Sequence, residues 1–276
     1  MNRVRTPTLT GQDRLRALFG GDHPAVIAYV PFGDPLTQGE QHLDAYCDAG
    51  VSVLEIGMPT RDAYLDGPEV GDSMRRALEA GVSPRSIAER LARWRAERGN
   101  LAPAIVWMGY PELDLASIEY AADLGAIDGL LIVDEQTRRD ATELPQQLEA
   151  IGAAHCAFVS WDATEDELRV ASTATGYVMV QARPGPTGTG HPPGVPDRQV
   201  DLARRSAPGI PVVAGFGVQN APELRGVAGA GVDGIVVGSA CVRALFEGGA
   251  PALSLLLESL VAEASMLSCH PAVSDC

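Results

Sequence analysis

Val51-Ser-Val-Leu-Glu-Ile-Gly-Met-Pro-Thr-Arg-Asp-Ala-Tyr-Leu-Asp-Gly-Pro68 runs from an apolar segment through a loop to a helix start. Strand side chains alternate between faces, so Val51, Val53 and Glu55 share one face while Leu54 and Ile56 share the other. An acid placed last among apolar residues marks the point where a buried strand opens to solvent. A second acid, Asp66, follows eleven residues later, just before Gly67-Pro68. Aspartate ahead of Gly-Pro and an amphipathic run is a common helix start. The unit is strand, loop, helix, and the number of times it recurs decides the fold.

Outward from this unit, short apolar runs bounded by glycine or polar turns predict further strands. With residues 51–56 they cover 25–30, 104–107, 129–133, 156–160, 177–180, 212–214 and 234–237. Helical spacing appears between them. Leu43, Tyr46 and Cys47 fall on one face, as do Ile87, Leu91 and Trp94 within 83–97. Leu168 with Ala171, and Leu224 with Val227 and Ala228, mark two more stretches, and 250–266 a last helix. An amphipathic segment, 14–19, precedes the first strand. Eight strands, each followed by a helix, predict a (β/α)8 TIM barrel with an extra N-terminal helix; an open doubly wound sheet is the alternative. No linker composition divides the chain, so 1–276 reads as one domain with frayed ends at 1–12 and 267–276.

Composition narrows the chemistry. The chain has 276 residues, 46% of them hydrophobic but only 5% aromatic, so Ala, Val and Leu must build the core. No apolar run reaches the length of a membrane span. A net charge of −15 supplies no basic face for nucleic acid. Five scattered cysteines without CxxC spacing point to a reducing cytoplasm. There is no lysine: all 21 cationic side chains are arginine. A Schiff base on a side-chain amine is thereby excluded, and with it covalently held pyridoxal phosphate. The five histidines show neither HxH nor HExxH spacing, and neither a metal nor another cofactor is expected.

Glu55 falls at the C-terminal end of its strand and Asp66 in the loop beyond, where barrels of this kind place their chemistry. Two other readings stand beside this one: Glu55 as a structural carboxylate paired with an arginine, and Asp66 as an ordinary helix N-cap. Three glycine-rich segments follow the last three strands: Arg183-Pro-Gly-Pro-Thr-Gly-Thr-Gly190, Gly215-Phe-Gly-Val218 and Gly238-Ser-Ala240. Glycine lets backbone N–H groups approach an anion, and a helix starting at Ser239 would aim its positive end there. Asn220 occupies the third glycine slot of a dinucleotide fingerprint, so a small phosphorylated substrate is favoured over a dinucleotide.

Over nearly its whole length the chain resembles the α subunit of tryptophan synthase and its stand-alone relatives, the indole-3-glycerol-phosphate lyases. Leu54-Glu-Ile-Gly-Met-Pro59 with Leu65-Asp-Gly-Pro68 is the specific signature, supported by Val30-Pro-Phe-Gly-Asp-Pro35 and Gly238-Ser-Ala240. The resemblance implies cleavage of indole-3-glycerol phosphate to indole and glyceraldehyde 3-phosphate. It implies that Glu55 is the catalytic acid and base, and that Asp66 binds the indole N–H and offsets its developing charge. Phe32, Tyr177 and Met179 would line the substrate pocket, with Arg183 and Thr187 on a loop that closes over it. Gly188, Gly217, Val218, Gly238 and Ser239 would bind phosphate.

The chemistry agrees with that assignment. A retro-aldol cleavage needs an electron sink, and indole protonated at carbon provides its own through nitrogen. Burial should favour neutral Glu55, whereas Asp66 at a wetter helix start should stay ionised. The chain departs from the family at Met179, where a tyrosine is usual, and at Arg61 and Ala63 around Asp62. It departs again in a shorter Met108-Gly-Tyr-Pro-Glu-Leu113 loop and at Glu135-Gln136. Several of these loops face the β subunit in the synthase, so a lyase acting alone is expected, with a β-dependent α subunit as the alternative. Two further alternatives are a degenerate barrel that only binds a phosphate ligand or partner, and another phosphosugar enzyme on the same fold.

Overall fold

Eight short parallel strands pair in chain order and close on themselves: β1 (Ala25–Val30), β2 (Val53–Gly57), β3 (Ala104–Gly109), β4 (Gly129–Ile132), β5 (Ala154–Val159), β6 (Val178–Gln181), β7 (Val212–Gly215) and β8 (Gly234–Val237). The structure, a computed structural model, describes residues 10–184, 197–215 and 217–268. Among them the helices are α1 (Gly11–Phe19), α2 (Leu43–Asp48), α3 (Pro68–Glu79), α4 (Pro84–Arg98), α5 (Leu115–Asp123), α6 (Leu144–Ala150), α7 (Glu165–Ala171), α8 (Asp197–Ser206), α9 (Ala221–Ala228) and α10 (Ser239–Ala264). This is the expected (β/α)8 barrel with an added N-terminal helix. Ala25 of β1 lies opposite Gly234 of β8, which closes the cylinder. The ends of β1 and β8 match the periodicity reading, those of the other strands and of α1 and α4 differ from it by up to three residues, and α10 starts at Ser239, eleven residues before the expected 250; the reading marks no stretch for α5, α6 or α8.

Alternation sorts the core into two layers. Ile27, Tyr29, Val53, Val106, Met108, Leu131, Cys156, Phe158, Met179, Val213 and Val236 point into the lumen. Val26, Ala28, Leu54, Ile56, Ile105, Trp107, Leu130, Val178 and Ile235 face the helices. Every position of all eight strands is buried, as parallel strands covered by helices require.

The N-terminal end of the cylinder is plugged by α1. Thr10 Oγ1 accepts from Asp13 N at 3.1 Å and Asp13 accepts from Thr10 N at 3.3 Å, a reciprocal cap of about 1 kcal/mol. This cap begins the helix three residues before the predicted 14 and holds residues 10–12, which were expected to fray. Leu15 is fully buried in the lumen cluster, and Phe19 packs edge-on against Tyr177 with ring centroids 5.9 Å apart.

Helix α10 passes the length and composition test for crossing a membrane, although no spanning run was expected from sequence. It breaks at Gly249 (φ 62°), just before Pro251. Leu245, Leu253, Leu257 and Leu260 are buried in the outer core layer, so both halves of this helix serve the barrel.

Candidate active site

Tyr29 on β1 and Glu55 on β2 are direct register partners and, by alternation, both project into the lumen. They line a cavity at the C-terminal mouth of about 500 Å³, part of it open to solvent. Asp66, Met108, Leu131, Val133, Phe158 and Met179 form its further walls. Gly215, Gly217, Gly238 and Ser239 line it too, from the ends of β7 and β8. The cavity is therefore apolar along most of its walls, with two carboxylates at one side and a glycine-rich cradle at the other.

Glu55 is buried and, among the described residues, has no arginine partner; its Oε1 accepts from the Tyr177 hydroxyl at 3.0 Å. Burial pushes its carboxyl up to about 7, against the lowering effect of the Tyr177 hydrogen bond, and the negative Asp66 adds to the rise. The structural ion-pair reading of Glu55 is thus set aside. Asp66 does not cap α3 either. The N-cap is Gly67, which offers no side chain, and Asp66 Oδ2 instead accepts from the Tyr110 hydroxyl at 2.8 Å. The expectation of a wetter Asp66 needs correction: Tyr110, buried at the end of β3, closes over it. Desolvation raises Asp66 to about 6, partly offset by the Tyr110 hydrogen bond. It still ionises before Glu55 as pH rises, which preserves the division of labour.

At the cradle, Gly217 has φ +110°, a conformation that L side chains rarely adopt. A Cβ there would lie 2.6 Å from the Arg183 guanidinium, whereas one on Gly238 would meet open space. Ser239 begins α10; Cys241 N already donates to the Gly238 carbonyl at 2.9 Å, and the amides ahead of it face out of the helix N-terminus. The amides of the α10 N-terminus, its helix dipole and a nearby buried Arg183 together suit a phosphate.

The sequence profile described as tryptophan synthase alpha chain matches residues 17–264. The chain belongs to the tryptophan synthase alpha chain family. It is accordingly an enzyme of the carbon–carbon lyase type. The tryptophan synthase alpha chain of Halorhodospira halophila is 34% identical over 248 residues, covering 87% of this chain and 89% of that one. Its counterpart from Nitratidesulfovibrio vulgaris is 35% identical over 245 residues, covering 86% and 92%. Among solved structures, a tryptophan synthase chain from Mycobacterium tuberculosis superposes with a TM-score of 0.78 at 24% identity, covering 93% of this chain and 99% of that one, which bears on the fold. The α subunit from Pyrococcus furiosus gives 0.73 at 26% identity, covering 87% and 99%.

Within this tryptophan synthase alpha barrel, the structure gathers Glu55, Asp66, Met179, Gly217, Gly238 and Ser239 around one cavity. Phe32 is not in its wall. It lies beyond the end of β1, buried in the layer between barrel and helices, and the aromatic rings that reach the cavity are Tyr29 and Phe158. The signal was available: Tyr29 has the strand parity of Ile27 and pairs with Glu55. Tyr177 stands under Glu55 rather than in the cavity wall. The Val218 side chain turns into the outer core layer, so only its backbone could serve an anion. Thr187 and Gly188 lie outside the described residues. Tyr110 was missed because its relation to Asp66 spans 44 residues of chain.

Proposed function

We propose that the chain cleaves indole-3-glycerol phosphate to indole and glyceraldehyde 3-phosphate by acid–base retro-aldol chemistry. The observation that carries this reading is the shared cavity, with Glu55 and Asp66 on one side and Gly217, Gly238 and Ser239 on the other. Neutral Glu55 delivers a proton to the ring carbon that bears the glycerol chain. Asp66, as the anion, accepts the indole N–H and stabilises the cation that spreads onto nitrogen. The Glu55 carboxylate then takes the proton of the adjacent hydroxyl. The carbon–carbon bond breaks, its electron pair returns to the ring, and the aldehyde leaves. Glu55 ends protonated as it began, so no net proton is consumed. A carboxyl near 7 is suited to both halves of this exchange.

We further propose that the enzyme works without a β subunit. Its mouth loops are tied to one another: Thr60 donates to Glu112, and Arg138 donates to the carbonyls of Pro111 and Leu113 at 3.1 and 2.7 Å. The experiment is indole release from indole-3-glycerol phosphate by the pure chain, with and without a tryptophan synthase β subunit. Rapid release unchanged by the partner supports the reading. Large activation replaces it with the β-dependent α subunit. No indole in either arm, with glycerol 3-phosphate still bound, leaves a binding protein.

A further inference from the structure

Tyr64 lies in the loop between β2 and α3, two residues before Asp66, and is 47% exposed. An exposed tyrosine needs no partner, yet this one is held at both ends. Its hydroxyl donates to the Asp134 carboxylate in the loop after β4. Its ring meets Tyr110 edge to face, with centroids 5.1 Å apart and planes at 64°. Tyr110 in turn donates to Asp66. Asp134 is itself fixed: its backbone is left-handed (φ 53°), Gln136 Nε2 donates to its Oδ1 at 3.3 Å, and Thr137 Oγ1 donates to its carbonyl at 2.8 Å. A continuous chain of contacts thus runs from the β4 loop through Tyr64 and Tyr110 to the carboxylate in the cavity.

We propose that Tyr64, anchored by Asp134, is a positioning residue that acts through Tyr110 to hold Asp66 toward the cavity. The inference rests on the lyase reading for its consequence in catalysis, but its geometry concerns Asp66 whatever the substrate. A half-exposed aromatic contributes little by burial. Tyr110 is buried in the lumen cluster, and the Tyr64 ring, itself anchored at Asp134, packs against its outer edge and adds to the packing that sets its tilt. The groups that face Asp66 are Tyr110 from the end of β3, Tyr29 from β1 and Glu55 from β2. Of these, Tyr110 is the one that stabilises the carboxylate by hydrogen bonding. Loosening it must raise Asp66's affinity for a proton and let the carboxylate wander.

The test uses Tyr64→Phe, which keeps the ring and loses the tie, and Asp134→Gly, which tolerates the left-handed backbone. The full-length variants, labelled with carboxyl-¹³C aspartate, are titrated by NMR, with Asp66 assigned by its loss in Asp66→Asn. The Asp66 midpoint should move upward in both variants. In steady-state assays kcat should fall about tenfold with KM held within about twofold, because misplacement of a poised group costs rate more than binding. The double variant should be no worse than either single one, since both cut the same link. A midpoint unmoved or lowered in both variants overturns the proposal and leaves Tyr64 a structural residue. Should the parent protein fail to cleave indole-3-glycerol phosphate, the lyase reading falls while the titration still decides the brace.

Discussion

The Tyr177 hydroxyl reaches across the barrel lumen to donate to Glu55 Oε1 at 3.0 Å. Tyr177 immediately precedes β6 and Glu55 lies on β2, strands four apart in an eight-membered ring and hence on opposite walls. The phenol is fully buried and rests on Phe19 of the plugging helix, so the acid is supported from below by the N-terminal segment. Removing the donor by Tyr177→Phe withdraws the one hydrogen bond that favours the Glu55 carboxylate. The midpoint of Glu55, followed by carboxyl NMR, should then rise above about 7.

Glu55→Gln keeps the size and an acceptor for Tyr177 but cannot cycle a proton. Indole release should drop by about 10² to 10⁴, the range that general acid–base catalysis supplies. Binding of glycerol 3-phosphate, measured by calorimetry, should remain. Retention of most activity discards Glu55 as the acid.

The pH dependence follows from which form each acid needs. Glu55 must be protonated, and it titrates at about 7; Asp66 must be ionised, and it titrates at about 6. The profile of kcat/KM should be a narrow bell, falling below about 6 and above about 7, with both limbs belonging to the coupled pair. Asp66→Asn should remove the acidic limb and most of the rate. A profile flat from pH 5 to 9 would contradict both assignments.

Stability carries the same signature with a definite sign. Both carboxyls hold protons more tightly folded than unfolded, so their contribution is whole below about 4 and is lost as pH rises through about 6 and 7. Glu55→Gln has no charge to bury at that position. Relative to the parent, it should gain about 3 kcal/mol between pH 4 and pH 8, read from urea unfolding at each pH. A constant difference between the two proteins would mean that Glu55 is not desolvated in the folded chain.

Gly217→Ala tests the cradle. The added methyl meets both a left-handed backbone (φ +110°) and the Arg183 guanidinium at 2.6 Å. Affinity for glycerol 3-phosphate should fall at least about tenfold, and stability by about 1–3 kcal/mol. Gly238→Ala, whose methyl would enter open space, should leave stability within about 1 kcal/mol of the parent while still intruding on a bound phosphate. Equal ligand affinity in all three proteins would place the phosphate elsewhere.

Much of this was legible along the chain. The period-two alternation in Val51–Ile56 puts Glu55 on the face of Val51 and Val53 at the open end of a strand, and recurrence of the strand–loop–helix unit predicts the barrel. Absence of lysine alone removes imine chemistry on a side-chain amine. The resemblance puts Phe32, with Tyr177, in the pocket wall, but the chain has already left β1 at Phe32 and turned outward. Asp66 reads as wet from its place at a helix start; the group that covers it, Tyr110, arrives from the end of another strand.

Strand parity, helix spacing and residue inventory are local properties, and from them the sequence by itself predicted the barrel; the roles expected of Glu55 and Asp66 came from the resemblance carried by Leu54–Pro68. Only the tertiary structure decided what each acid touches. Closure of the ring sets Tyr177 opposite Glu55, and the loops after β2, β3 and β4 converge so that Asp134, Tyr64 and Tyr110 line up on Asp66. Those meetings join residues as much as 122 positions apart. They depend on strand stagger and loop path, which no short stretch of chain encodes, and they govern proton affinity because desolvation and hydrogen bonding act through space.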